Sequence, residues 1–177
     1  VFDAGPIISL TLSGLIWIIE KLKKDYEGKF IITQAVKKEV IDQPMSTKKY
    51  KFESIRLLPY FSNGTFTIID NEEVTERAKK IAEIANATFS TDRGSVKIIH
   101  PGEAEAIAAC LVYEAKTLVI DERTTRYLIE APQKIRKRLQ RKLKRNVSID
   151  KEKLKLLQTA LKEIQPIRST ELLTIAY

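Results

Sequence analysis

The chain has 177 residues and is 44% hydrophobic, which predicts one compact folded domain and excludes a disordered chain. No apolar run reaches the roughly 18–20 residues of a membrane span, and the longest, 7–19, is broken by Ser9, Thr11, Ser13 and Gly14 and follows an acid, so neither a membrane helix nor a signal peptide is expected. The net charge of +8 sits in one place: residues 131–149 carry Lys134, Arg136, Lys137, Arg138, Arg141, Lys142, Lys144 and Arg145 with no acid, and without those eight the chain has 23 basic against 23 acidic residues.

Residues 1–2 read as the end of a short buried strand that stops at Asp3. Gly5 and Pro6 turn the chain into a helix along which Leu10, Ser13, Gly14 and Trp17 recur at helical spacing, with Trp17 read as core. Residues 30–32 form a second strand. Thr33 is an N-cap for a helix over 34–41, which Asp42, Gln43 and Pro44 end. Residues 47–61 look helical, 62–64 form a turn, and 65–69 are β-rich. Asp70 or Asn71 caps a long helix over 72–87, and 91–94 is a loop. Pro101 and Gly102 precede a helix over 103–113, with Cys110 in the core and His100 in the loop before it. A buried strand over 117–120 ends at Asp121. A basic amphipathic helix follows Pro132, another helix spans 151–162, and 166–168 form a last short strand.

Strands alternating with helices predict an α/β fold with a parallel or mixed sheet covered on both faces. Ligand sites in such folds lie beyond the carboxyl ends of the strands. Asp3 and Asp121 both follow apolar strand-like runs and are therefore aimed at that edge. Glu39 shares a helix face with Ala35 and Val36, and Glu105 with Ala108, Ala109 and Val112, so both acids fall on stripes expected to pack inward. A buried carboxylate is costly unless it is paired or ligates a metal.

A single cysteine and a single histidine exclude an intramolecular disulfide and an all-protein Cys/His zinc site, and they fit a reducing, cytoplasmic setting. A metal here needs oxygen ligands, which favours hard cations such as Mg²⁺ or Mn²⁺. Converging carboxylates suit phosphodiester hydrolysis, because a divalent ion lowers the pKa of the attacking water and offsets charge on the phosphate. Each acid also has an ordinary use. Asp3 is a turn residue before Gly5 and Pro6, Glu39 is a partner for a distant lysine, Glu105 is a solvated first-turn acid and Asp121 is a cap.

The segments VFDAGPIISL (1–10), PGEAEAIAA (101–109) and LVIDER (118–123), in this order with Glu39 between the first two, resemble PIN-domain proteins over residues 1 to about 128. The resemblance implies a Rossmann-like three-layer α/β/α sandwich with a central parallel sheet. It further implies an acidic pocket for Mg²⁺ or Mn²⁺, endoribonuclease activity leaving a 5′-phosphate and a 3′-hydroxyl, and, by analogy, a homodimer. By position the four family acids match Asp3, Glu39, Glu105 and Asp121, with Glu103 a secondary ligand candidate and Glu122 either binding a second ion or facing solvent. The chain departs from the pattern at Ala4, where the family often carries a hydroxyl. The resemblance also leaves two alternatives: a toxin working with an antitoxin partner, and a non-catalytic RNA-binding or assembly module, including one that partners an RNA-processing protein.

The basic helix has Ile135, Leu139 and Leu143 on one stripe, so one side packs and the rest presents cations. Cations uninterrupted by acid predict nucleic-acid backbone contact over a solvated surface helix, which the resemblance would make RNA, and the narrow stripe without Trp or Phe argues against a membrane surface. Tyr50, Phe52, Tyr60 and Phe61 lie among Lys48, Lys49, Lys51 and Arg56 and are either core or stacking groups for bases.

Overall fold

The computed structural model describes residues 1–176. Helix α1 (Ala4–Leu12) ends where Gly14 takes φ +73°, and α2 (Ile18–Asp25) starts a new direction. The single helix expected through Trp17 is therefore two, and Trp17 is 52% exposed at the junction instead of in the core. Strand β1 (Phe30–Thr33) leads into α3 (Gln34–Lys37), where Thr33 Oγ1 accepts the Val36 N–H at 3.3 Å. A π-helical turn, Lys38–Asp42, follows without a break and continues into α4 (Gln43–Met45). Pro44 does not end the helix; the Val40 carbonyl four residues back, which Pro44 has no N–H to bond, accepts the Ser54 hydroxyl at 2.9 Å instead. The π turn also shifts the helical phase. Val40 and Ile41 turn inward, and Glu39 is exposed rather than on the buried stripe expected from 3.6-residue spacing.

Helix α5 (Lys51–Ser62) begins after Tyr50, which takes φ 63°, so the expected helix lacks its first turn. Strand β2 (Phe66–Ile69) is followed by α6 (Glu72–Thr88), capped by Asn71, whose Oδ1 accepts the Glu73 N–H at 2.8 Å. Where a loop was expected, β3 (Phe89–Thr91) and β4 (Gly94–Ser95) form a small hairpin, with Gly94 at φ +108° supplying the turn. Helix α7 (Pro101–Val112) and strand β5 (Thr117–Val119) come next, then α8 (Arg123–Glu130) and α9 (Gln133–Leu143). Strand β6 (Ser148–Ile149), α10 (Lys151–Leu161), β7 (Gln165–Ile167) and α11 (Ser169–Ala176) complete the described chain, the last unexpected.

Strands β1 and β2 pair in parallel, Phe30 opposite Phe66 and Thr33 opposite Ile69, and β5 and β7 do the same, Thr117 opposite Gln165. Residues 1–2 join the two pairs. The Phe2 N–H donates to Ile31 O at 2.8 Å, and on its other side Phe2 bridges Val119 in parallel, with the Asp3 N–H donating to Val119 O at 2.9 Å. Asp3 and Asp121 thus leave neighbouring parallel strands at the same edge. A second, antiparallel set, β4-β3-β6, ties the segment after α9 to the end of α6.

Alternate strand residues enter two different cores. Val1, Ile31, Ile69, Leu118 and Ile120 pack with Val74, Ile81, Ile107, Leu128, Ile135 and Leu157. Phe2, Phe30, Ile32, Phe66 and Val119 pack with Ile7, Leu10, Ile19, Val36, Leu57 and Leu172. This is the two-residue period of a strand with both faces covered, which is why these strands read as unbroken apolar runs. Each fully buried Ile, Leu or Phe contributes about 1.5–3 kcal/mol. Cys110 is buried with the first cluster. Of the four aromatics set among lysines, Tyr60 is buried and Phe61 packs on Phe66 at 5.6 Å, while Tyr50 and Phe52 are exposed. No helix among the described residues is long and apolar enough to cross a membrane.

Candidate active site

Asp3 ends the first strand segment and caps α1, its Oδ2 accepting the Gly5 N–H at 3.3 Å. Its residue is only 8% exposed. Asp121 arrives from β5 and is held by three donors: Ser9 Oγ at 3.0 Å and Ser169 Oγ at 2.9 Å on Oδ2, and the Ser169 N–H at 2.9 Å on Oδ1. Gly5 separates the two aspartates. A Cβ there would lie 3.3 Å from Asp3 Oδ2 and 3.8 Å from Asp121 Cβ, so the two acids flank one backbone segment.

Glu103 enters from the first turn of α7. Its Oε2 accepts the His100 N–H at 2.8 Å and the Thr125 hydroxyl at 3.0 Å. Thr125, fully buried, also donates its N–H at 2.8 Å to Glu122, which caps α8. Glu39 reaches the same region from the π turn, its Oε2 lying 3.9 Å from where a Cβ on Gly102 would stand. Asp3, Glu39, Glu103 and Asp121 therefore come together around the backbone of Gly5 and Gly102.

Glu105 does not join them. Two residues beyond Glu103 on the same helix, it lines a separate cleft at the carboxyl ends of β1 and β2. Residues at that spacing point to nearly opposite sides of a helix, and it is Glu103, the acid placed second in the sequence reading, that stands beside Asp3. Ser9, Thr125 and Ser169 were not singled out from the sequence. For Ser169 there was a usable signal, since Ser169, Thr170 and Glu171 before Leu172 and Leu173 form a helix-start pattern.

Burial pushes the Asp3 carboxyl up to about 7; the negative charges of Glu103 and Glu39 add to the rise, against the hydrogen bonds from Gly5 and Ala4. Burial likewise raises Glu103, opposed by its bonds from His100 and Thr125 and reinforced by Glu122. Among the described residues none of the four acids takes part in an ion pair. The donor set is all carboxylate, and its charge is unmatched by protein cations, which fits a hard divalent ion. Among the described residues no group of three His, Cys, Asp or Glu is close enough to close around an ion unaided. The fit is therefore to an ion held by one or two carboxylates with water completing its shell, the usual state of Mg²⁺.

The basic helix is divided in its uses. Lys134, Lys137, Arg138, Arg141 and Lys142 of α9 line a cleft of about 540 Å³ against Arg123 and Tyr127 of α8. Arg136 instead donates Nε–H to Val147 O at 3.0 Å, Arg145 pairs with Asp92 in the hairpin turn, and Lys144 ends the helix at φ 51°. Arg123, missed in the sequence, directly follows Glu122, so the cationic cleft begins within one turn of the acids. A family model described as a PIN domain matches residues 1–133. No curated protein and no solved structure matches the chain.

Proposed function

The chain belongs to the PIN-domain family, and on that premise we propose that it is a divalent-metal-dependent endoribonuclease acting on single-stranded RNA. The observation that carries this is the gathering of Asp3, Glu39, Glu103 and Asp121 around Gly5 and Gly102 with no protein cation paired to them. Mg²⁺ or Mn²⁺ bound there would lower the pKa of the attacking water and offset charge on the phosphate. Of Asp3, Glu103 and Asp121, one or two would hold the ion with water completing its shell, and Glu39 completes the negative rim. Ser9 and Ser169 fix the Asp121 carboxylate in one orientation, and Thr125 fixes Glu103, as outer hydrogen bonds do for metal ligands. The water oxygen bonds to phosphorus, the P–O3′ bond breaks, and the products carry a 5′-phosphate and a 3′-hydroxyl.

Ala4 stands where relatives often carry a hydroxyl, and it is buried. The hydroxyls of Ser9 and Ser169 on Asp121 supply ordering from elsewhere, which favours the catalytic reading over a binding module. The cleft of α8 and α9 holds the RNA backbone, its five lysines and arginines of α9 and Arg123 leading from the acids. The alternation of strand residues between two apolar clusters supports the three-layer α/β/α arrangement. The pairing of β7 with β5 supports a single PIN-like unit that includes the basic region.

The test is cleavage of end-labelled single-stranded RNA in Mn²⁺ by the native protein and by Asp121→Asn. Cutting by the native protein alone, abolished by EDTA, is the expected result. Equal cutting by both, or none by either while RNA remains bound, overturns the proposal.

A further inference from the structure

The cleft that receives Glu105 has a volume of about 380 Å³, ample for one nucleobase, and opens at the carboxyl ends of β1 and β2. Ile69 and Val74 give it an apolar wall, and Gln34, Lys38, Asp70 and Glu105 line it with polar groups. Among the described residues the side chains of these four make no hydrogen bond or ion pair with protein, so each is free for a ligand. The cleft is separate from the acids but shares two elements with them. Glu105 lies on α7 two residues from Glu103, and Lys38 precedes Glu39 in the π turn.

The lining decides what fits. Asp70 and Glu105 repel a phosphate, so the RNA backbone stays outside and a neutral, donor-bearing group enters. Lys38 on the same lining disfavours a guanidinium or a free cation. A planar base satisfies both conditions, with an apolar wall for its face and polar groups for its edge. Among the four bases only guanine offers two adjacent donors, N1–H and the N2 amino group, that one carboxylate accepts together, beside an O6 acceptor. Uracil has a single donor between two acceptors, and adenine and cytosine each have one amino donor next to a ring acceptor.

We infer that this cleft seats a guanine of the RNA next to the cut, with Glu105 accepting from N1–H and the N2 amino group, and Lys38 and Gln34 donating to O6. The inference rests on the reading of the protein as a ribonuclease. It converts Glu105 from a candidate for the metal into a specificity-determining residue.

Two measurements test it, one of which needs no cutting. In EDTA, binding of a short uridine-rich RNA containing one guanosine is compared with the same RNA carrying inosine, which lacks the N2 amino group, or adenosine. The native protein should prefer guanosine by roughly 5- to 100-fold, the range of a two-bond base contact. Glu105→Gln and, separately, Asp70→Asn show which carboxylate is responsible. The first should erase the preference and the second leave most of it. Cut sites in a randomised RNA are then mapped in Mn²⁺ for the native protein and Glu105→Gln, with a guanine bias expected only for the former. Equal binding of all three RNAs, or a guanine preference unchanged in Glu105→Gln, overturns the inference even if RNA is cut. A guanosine preference that depends on Glu105 without any cutting leaves the inference standing and sinks the nuclease reading instead.

Discussion

Ser169 holds Asp121 with two hydrogen bonds, from its backbone N–H to Oδ1 and from its hydroxyl to Oδ2, each 2.9 Å long. The two residues are 48 positions apart, and Ser169 lies beyond the 1–133 span that matches the family model. The acid that closes the site is therefore oriented by the first residue of α11, which β7 delivers beside β5.

Ser169→Ala removes one of three donors on Asp121 and leaves the backbone bond and Ser9 in place. The Mn²⁺ concentration for half-maximal cleavage should rise roughly 10- to 100-fold, the usual effect of losing an outer-shell partner. The rate at saturating Mn²⁺ should fall less. A drop in Tm with no change in the Mn²⁺ requirement would reduce Ser169 to a packing residue.

Much of the fold could be read from the residues, and the failures share a cause. Helix α9 was found by its apolar stripe of Ile135, Leu139 and Leu143, and α6 by the cap candidates Asp70 and Asn71 that precede it. Asp3 and Asp121 were visible because each ends an apolar run. Glu39 was misplaced because the π turn breaks the 3.6-residue phase used to assign its face. Glu103 and Glu105 could not be told apart because Ala104 and residues 106–110 are all buried, so α7 has no polar side to set its rotation. Trp17 was assigned to the core by a spacing that Gly14 interrupts. The small hairpin of β3 and β4 is too short for alternation to show.

Asp3 makes stability depend on pH in a definite direction. Its folded pKa is about 7 against an ordinary 3.8, so the folded state binds the proton more tightly. Its contribution is most favourable below pH 3.8, declines as pH rises to about 7, and is flat above, with a total cost on the order of 4 kcal/mol. In EDTA, Asp3→Asn should therefore gain on the native protein as pH rises, by roughly 10 °C in Tm at pH 8, while losing cleavage. Mg²⁺ should raise the native Tm more at pH 8 than at pH 5. A native–variant difference independent of pH would refute the assigned burial cost.

The cations after Pro132 should separate into two groups. Lys137→Ala with Arg141→Ala removes two charges from the α8–α9 cleft, and RNA binding should weaken at low salt. The slope of log affinity against log salt should become shallower by roughly 0.7 per cation for a single strand. Arg136→Ala removes the bond to Val147 O and should cost about 1 kcal/mol of stability with the salt slope unchanged. Equal effects of both changes on the slope would mean that the whole segment, not the cleft, contacts RNA.

Gly5→Ala probes the site by wedging it. The added Cβ stands 3.3 Å from Asp3 Oδ2, closer than an ordinary contact, and 3.8 Å from Asp121 Cβ. Asp3 is buried and has little room to retreat, so the spacing of its carboxylate from Asp121 must change by a few tenths of an ångström. Alanine favours a helical position over glycine by roughly 0.5–1 kcal/mol, which offsets the crowding. The variant should fold with a Tm close to the native value and cut RNA at least about tenfold more slowly, because misplacing a catalytic group by such small distances is costly in rate. Gly64→Ala, at a turn with nothing within 4 Å but φ +76°, is the reverse control: it should lower Tm and spare the rate of the folded protein. If Gly5→Ala cuts within twofold of native, Asp3 and Asp121 do not act as a pair, and the metal would have to be assigned to other acids.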